Sequence, residues 1–309
     1  MTYDSLQSFA PTFIETPDGA RLRAATWPAL SGTPPRGLCI LLTGQTEFIE
    51  KYCEVIDELR ARGFAVATFD WRGQGGSSRL LADPLKVHIK DFQQYDTDFS
   101  TFMEKIVRPL SPQAPFALAH SMGGNILLRA LHANPALCRA VVLTAPMIAA
   151  SARGWPPRLV RWLAWAQTAA GNGAGFVFGM AKRDPLVMTF EQNLTTQDRQ
   201  RWERTRDFLQ RHPTIRLVGP TWGWLEAGYR TMDTVSAPGY AERITTPALV
   251  FGAEEDRIVL TSAIFDFARH MPNATYIEIP GAEHEILMER DPIRERFWKA
   301  FDAFVDGLG

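Results

Sequence analysis

Ser121 lies in the run Ala119-His120-Ser121-Met122-Gly123-Gly124, where the apolar stretch Phe116–Ala119 gives way through small residues to a helical pattern. A serine on a strand-to-helix turn projects its hydroxyl out of the sheet, and small neighbours such as Ala119 and Gly123 let adjacent backbones close around it. Such a hydroxyl is a weak nucleophile until a base takes its proton and an acid orients that base. Two downstream loops offer both. Ala253-Glu254-Glu255-Asp256-Arg257-Ile258 follows one apolar run and Pro280-Gly281-Ala282-Glu283-His284-Glu285 follows the next, so Asp256 is the expected acid and His284 the expected base. Glu254 and Glu255 are rival acids. The remaining histidines compete poorly: His132 falls within a helical pattern, His270 at a helix end, His212 in an atypical segment and His88 after a loop, while His120 adjoins the serine and must point elsewhere. A tetrahedral intermediate also needs donors for its oxyanion. The backbone N–H of Met122 supplies one, and that of Gln45, in Thr43-Gly44-Gln45-Thr46, the other.

These residues are far apart in sequence, so a scaffold must gather their loops at one edge. Thr12–Thr16 and Arg21–Thr26 flank the turn Pro17-Asp18-Gly19 and predict a hairpin. Leu38–Leu42 and Phe64–Phe69 are buried strands by pattern, separated by a helix in which Tyr52, Val55, Ile56 and Leu59 recur until Gly63 stops it. Phe92, Tyr95, Phe99, Phe102 and Ile106 mark another helical face before the strand Phe116–Ala119. Beyond Ser121 come a helix from about Gly124 to His132, strands at Ala140–Thr144 and Ala248–Gly252, a helix near Ser262–His270, a strand at Thr275–Ile279 and a closing helix near Arg290–Val305. This alternation predicts an α/β fold built on a mostly parallel, doubly wound sheet. Open parallel sheets build their sites beyond the carboxyl ends of their strands, where Ser121, Asp256 and His284 all fall. Nucleophile, acid, base is also the chain order that elbow-bearing sheets use.

The 309 residues carry 33 basic and 34 acidic side chains, for a net charge of −1, so no global field favours nucleic acid, and no nucleic-acid partner is expected. Cys39, Cys53 and Cys138 are an odd number at irregular spacing, read as small buried apolar residues in a reducing compartment. No run approaches the length of a membrane span and Met1 to Pro11 lacks the pattern of a secretion signal, so a cytoplasmic location is expected. The segment from Ser151 to Tyr240 differs from the rest. It shows no convincing buried strand, holds six of the nine tryptophans, and carries 12 Lys and Arg against 7 Asp and Glu, whereas the remainder is acidic. Residues 1–150 and 241–309 are therefore expected to form a core domain, with 151–240 a helical cap inserted between strands. The same charges could equally serve only to solvate outer helix faces. Gly73-Gln74-Gly75-Gly76 lacks the spacing and the Lys-Ser or Lys-Thr of a phosphate loop and is read as a turn.

With these pieces in place the chain resembles the α/β-hydrolase superfamily, and within it the lysophospholipase and monoacylglycerol lipase group, also called serine aminopeptidase-like. The resemblance rests on Thr43-Gly44-Gln45-Thr46-Glu47-Phe48-Ile49-Glu50-Lys51-Tyr52, Asp70-Trp71-Arg72-Gly73-Gln74-Gly75-Gly76-Ser77, Leu80-Leu81-Ala82-Asp83-Pro84 and the run around Ser121. It implies a serine ester hydrolase that takes a small-molecule lipid or ester substrate, removes a single acyl chain through an acyl-serine intermediate, and needs no metal or organic cofactor. Ala119 replaces the first glycine usual in the elbow. Thr43 stands where relatives usually carry His, at the pocket floor, and Lys51 stands where monoacylglycerol lipases hold a glycerol-contacting Arg; both are candidate substrate-binding residues. The tryptophan-rich cap is expected to line an acyl tunnel and to rest its basic face on a membrane surface. The family label also covers aminopeptidases or amidases, for which Glu191, Asp198, Glu203 and Glu226 could hold a substrate ammonium. A third reading is a non-catalytic ligand-binding protein on the same fold.

Overall fold

Apolar runs that a solvent-facing sheet would not tolerate become strands buried on both faces. The computed structural model describes residues 3–32, 34–152 and 154–308. Its main strands are β1 (Thr12–Glu15), β2 (Arg21–Trp27), β3 (Gly37–Leu42), β4 (Phe64–Phe69), β6 (Phe116–His120), β7 (Ala140–Thr144), β9 (Ala248–Ala253) and β10 (Ala274–Ile279), while β5 (Lys86–Val87) and β8 (Gly219–Pro220) stand apart. The eight-stranded sheet has the order β1-β2-β4-β3-β6-β7-β9-β10. Only the β1–β2 and β2–β4 pairs are antiparallel. Along β3 the two-residue period sorts Leu38, Ile40 and Leu42 to one core and Cys39 and Leu41 to the other. The helices Cys53–Ala61 and Asp291–Asp306 cover the second face through Val55, Ile56, Phe297 and Phe301, and the helices Gln93–Phe102, Ser121–Ala133 and Thr261–Ala268 cover the first through Phe99, Phe102, Ile126 and Ile264. Each such large side chain contributes about 1.5–3 kcal/mol on burial. All three cysteines are buried and free.

Two elements depart from the pattern-based expectation. The helix after β6 begins at Ser121 rather than near Gly124, because the turn itself supplies its first residues. The pair β5–β8 is parallel, and at two residues per strand it is too short to leave a periodic signature.

The segment 151–240 holds the helices Pro157–Gln167, Arg199–Arg211 and Trp222–Val235. It is not uniform. Trp224, Ala227, Met232 and Val235 are buried in the same cluster as the first sheet face, and the Trp224 indole donates to the Tyr95 hydroxyl at 3.2 Å. The helix Arg199–Arg211 is fastened differently, by Arg201, whose guanidinium reaches Glu54 at 2.6 Å, Asp198 at 2.8 Å, Asp291 at 2.7 Å and the Glu289 carbonyl at 3.0 Å. Burial alone would raise the Glu54 pKa, but Arg201, Arg294 and Arg204 bring it down to about 2. Trp155, Trp162 and Trp165 remain 63%, 57% and 58% exposed. Among the described residues no helix is long and apolar enough to cross a membrane.

The helix Ser121–Ala133 approaches the end of β3 so closely that a Cβ on Gly123 would lie 2.6 Å from the Thr43 carbonyl oxygen and 2.7 Å from that of Leu42. Both obstacles are backbone and cannot rotate away. Gly123→Ala is therefore expected to lower stability by about 1–3 kcal/mol through overpacking. Because the obstructing carbonyls stand where β3 leads into the loop that carries Gln45, activity in the folded variant should fall further than its melting temperature accounts for, which paired thermal unfolding and initial-rate measurements check.

Candidate active site

The register of the central strands aligns their carboxyl ends: Leu42 pairs with Ala119, and His120 with Thr144. The next residues therefore emerge along one edge. Ser121 has φ 51°, a left-handed conformation that L-residues rarely adopt, and this aims its hydroxyl out of the sheet. The His284 ring meets it, with Nε2 2.9 Å from Ser121 Oγ. On the other side, His284 Nδ1 is 2.7 Å from Asp256 Oδ2. A carboxylate can only accept, so Nδ1 carries the hydrogen and Nε2 is left free to accept the serine proton. Asp256 Oδ1 in turn accepts from the backbone N–H groups of Ile258 at 2.7 Å and Val259 at 2.9 Å, which fixes the carboxylate plane.

The rival acids face elsewhere. Glu254 accepts from the Gly281 N–H at 2.8 Å and Glu255 from the Gln197 amide at 3.2 Å, so both brace the loops from their outer side. The other histidines are also engaged away from Ser121: His88 with the Thr221 hydroxyl at 2.8 Å, His132 against the Tyr240 ring, His212 against Phe208 and His270 with the Asp266 carbonyl at 2.6 Å. Met122 is the second residue of its helix, where an N–H has no intrahelical acceptor. Among the described residues the Gln45 N–H also lacks an acceptor. Among the described residues, neither N–H is bonded to a protein acceptor.

Burial acts first on every charge here, and neighbours decide the outcome. It pulls the His284 pKa down, but Asp256, with Glu285 and Glu47 beyond it, outweighs this and holds the imidazole above its ordinary value. It pushes the Asp256 carboxyl up, and His284 with the two backbone donors brings it below the usual range. For His120 burial prevails and the pKa falls to about 4, so that ring is neutral. Its Nδ1 lies 3.1 Å from the Thr144 carbonyl, and its ring packs 4.8 Å from that of His284.

A cavity of about 230 Å³ lies next to the site: Gln45, Ile258 and Glu285, the last directly after His284 in the chain, line it, whereas Ser121 and His284 themselves do not. Its far wall comes from the segment 151–240, with Met180, Met188, Leu209, Leu217 and Val218 giving it an apolar character. Of the six tryptophans in that segment only Trp202 lies on the wall, which corrects the expectation of a tryptophan-lined tunnel: three of the others face outward and two are packed into the core. Thr43 is likewise not on the wall. Trp71, which donates to its carbonyl at 2.9 Å, and the Gly123 backbone close over it completely. Lys51 does line the cavity, but its ammonium is already held by Glu47 Oε1 at 2.7 Å and Glu285 Oε1 at 2.8 Å. Neither Glu47 nor Glu285 was singled out from the sequence as part of the site; the spacing of Glu47 and Lys51, four residues apart, was the available signal.

An eight-stranded, mostly parallel sheet with a strained serine at a strand-to-helix turn, and an acid and a histidine in the loops after two later strands, is the α/β-hydrolase fold. The family described as serine aminopeptidase, S33, matches residues 33–291, and the chain belongs to that family. Lysophospholipase L2 of Escherichia coli (strain K12) is 35% identical over 275 residues, covering 86% of this chain and 78% of its own. Probable lysophospholipase L2 of Haemophilus influenzae is 27% identical over 271 residues, covering 88% and 84%. Among solved structures, monoglyceride lipase from Saccharomyces cerevisiae superposes with a TM-score of 0.75 over 98% of both chains at 21% identity, a likeness of fold.

Asp256→Asn is expected to lower kcat by about 10³–10⁴ because it disturbs the tautomer and orientation of His284, whereas Glu255→Gln should change it little. Steady-state rates of the two variants decide between the acids. Acylation needs neutral His284, so the rate should rise with pH along a single limb whose midpoint lies above about 6.5, the ordinary histidine value. His120, neutral above a pH of about 4, adds no second limb in that range. A pre-steady-state pH profile tests this.

Proposed function

We propose that the protein is a serine ester hydrolase that cleaves a single acyl chain from a lysophospholipid or monoacylglycerol. The observation that carries this is His284, bonded through one nitrogen to Ser121 Oγ at 2.9 Å and through the other to Asp256 at 2.7 Å. Ser121 Oγ attacks the ester carbonyl carbon as His284 Nε2 takes its proton. The oxyanion that forms is held by the N–H groups of Gln45 and Met122. Collapse breaks the bond to the alcohol oxygen, His284 returns the proton to that oxygen, and the acyl group stays on Ser121 until a water activated by His284 releases it.

Several features support a monoacyl lipid. The relatives named above are called lysophospholipases or monoglyceride lipases. The cavity has an apolar side, formed by Met180, Met188, Leu209, Leu217 and Val218, facing polar and charged groups and, at about 230 Å³, falls below the ~300–1,000 Å³ usual for ligand pockets, which suits one chain rather than two. Arg183 lines it, and among the described residues no carboxylate lies within ion-pair distance of its guanidinium, whereas Lys51 and Arg201 on the same wall are both saturated. An unpaired guanidinium suits a phosphate and so favours a lysophospholipid. The aminopeptidase reading finds little support, because Glu191 and Glu203 pair with Arg199, Asp198 with Arg201 and Glu226 with Arg230, leaving no free acidic cluster for an ammonium. We further infer that the segment 151–240 acts as a cap whose exposed Trp155, Trp162 and Trp165, beside Arg158 and Arg161, meet a lipid surface; amphipathic indoles favour that boundary.

A substrate series on purified protein tests this. Each added acyl methylene should strengthen binding by ~0.8 kcal/mol until the cavity is full. Ser121→Ala should lower turnover by ~10³-fold or more and abolish fluorophosphonate labelling. Arg183→Gln should raise KM for lysophospholipid while leaving monoacylglycerol of the same chain length unaffected. Faster cleavage of amino-acid anilides than of any long-chain monoacyl ester would overturn the lipid reading.

A further inference from the structure

The two loops that present the oxyanion donor and the base come from opposite ends of the chain. Gln45 follows β3, and His284 follows β10. No strand pairing links them, since β3 and β10 are four places apart in the sheet. What joins them is a buried chain of charges. The Glu47 carboxylate accepts from the Gly44 N–H, next to Gln45, and from the Tyr52 hydroxyl at 2.7 Å. Its other oxygen meets Lys51 Nζ at 2.7 Å, and Lys51 Nζ meets Glu285 Oε1 at 2.8 Å. Glu285 is the residue after His284, and the Lys51 side chain is only 9% exposed. The Glu47 carboxylate also sits directly behind the nucleophile turn: a Cβ on Gly44 would lie 2.9 Å from Glu47 Oε2 and 3.2 Å from Ser121 Cβ.

We propose that Lys51 is a positioning residue, the single cation that holds the oxyanion loop and the base loop in register by bridging Glu47 and Glu285. The inference rests on the serine-hydrolase reading above and assigns Lys51 a role other than substrate contact. Two carboxylates drawn to one ammonium stay close; without it they repel in a poorly solvated pocket, and each can separate only by moving its loop. Burial opposes charge on both Lys51 and Glu47, yet Lys51 outweighs it and holds the Glu47 carboxyl well below its ordinary value, while Glu285 and Glu47 hold the Lys51 ammonium above its own. The charged and titratable groups facing His284 are Asp256 from the loop after β9, Glu285 on its own loop, Glu47 from beyond β3 and neutral His120 at the end of β6, with Lys51 held between Glu47 and Glu285. Lys51 is the one permanent cation in that set.

The test uses Lys51→Met, Lys51→Arg and Glu285→Gln in the whole protein, with a soluble short-chain ester and with a fluorophosphonate that needs no lipid recognition. Lys51→Met is expected to lower kcat and the Ser121 labelling rate by ~10–100-fold, the scale of an ångström-sized misplacement, with KM changed less than ~3-fold. The midpoint of its acylation profile should rise, because His284 then faces Glu47 and Glu285 without the opposing charge. Lys51→Arg keeps the charge and should recover both rate and midpoint. Glu285→Gln, which leaves the Lys51–Glu47 pair, should lower the rate but move the midpoint down, and it keeps the inference testable if Lys51→Met does not fold. Opposite midpoint shifts are something a purely structural role would not produce. Failure of the wild type to label at Ser121 would remove the hydrolase reading and this inference with it. Normal wild-type labelling with equally fast labelling of Lys51→Met would remove the bridge alone, as would an effect on KM with kcat and midpoint unchanged.

Discussion

The left-handed backbone of Ser121 is the constraint on which the rest of the site depends. A non-glycine residue at φ 51° costs of order 1–3 kcal/mol and persists only where its surroundings leave no alternative. Here they leave none. The Ser121 carbonyl accepts from the Met147 N–H at 3.0 Å, and the Met147 carbonyl accepts from the buried Asn125 amide at 2.8 Å, one turn along the same helix. The Asn125 oxygen takes the Thr231 hydroxyl at 2.8 Å, which draws in the helix Trp222–Val235. Gly123 completes the clamp by letting the helix seat directly on the carbonyls that end β3. The conformation that exposes the hydroxyl is thus held by three layers of the fold.

Around that turn the electrostatics separate groups that would otherwise compete. The His120 and His284 rings are neighbours tilted against one another and equally removed from water, yet one is neutral down to a pH of about 4 and the other is more basic than a free histidine. The difference is in what each nitrogen faces. His120 Nδ1 faces a carbonyl and a hydroxyl of Thr144, and the attraction of the nearby Glu47 and Glu285, countered by His284 and Lys51, does not offset the loss of hydration. His284 Nδ1 faces a carboxylate whose orientation is fixed by two backbone donors. A buried imidazole gains a usable proton affinity only when a fixed negative charge accompanies it.

Much of the sheet was legible because its central strands β3, β4, β6, β7 and β9 are buried on both faces, so their runs are continuous, and the flanking helices carry clear periods. Ser121, Asp256 and His284, named from their positions after strands, are brought within hydrogen-bond distance in the structure. What could not be read was set by contacts across long sequence separations. Nothing in the local pattern of Thr43 shows that Trp71 and Gly123 close over it, or that Lys51 finds a second carboxylate at Glu285. Tryptophan is large and amphipathic, so composition does not decide whether Trp224 joins a core or Trp162 stands in solvent. The two-residue pair β5–β8 falls below any period. Similarly, the segment 151–240 announced itself by composition, yet its last helix packs as part of the layer on the first sheet face.

The wall of the cavity and the loop that carries His284 are one mechanical unit. The Glu285 N–H donates to the Thr195 carbonyl at 2.7 Å, the Thr196 hydroxyl to the Met288 carbonyl at 2.7 Å, and the Gln197 N–H to Glu289 at 3.1 Å, while that same carboxylate oxygen accepts from the Glu283 N–H at 3.0 Å. On the other side Phe48, just past the oxyanion loop, stacks on Phe208 of the helix Arg199–Arg211 at 5.7 Å. In the reaction proposed above, a chain entering the cavity therefore presses on residues tied to both the His284 loop and the Gln45 loop. Binding energy gained far from the ester can then appear as alignment at the ester, the condition under which it raises turnover rather than merely tightening the ground state.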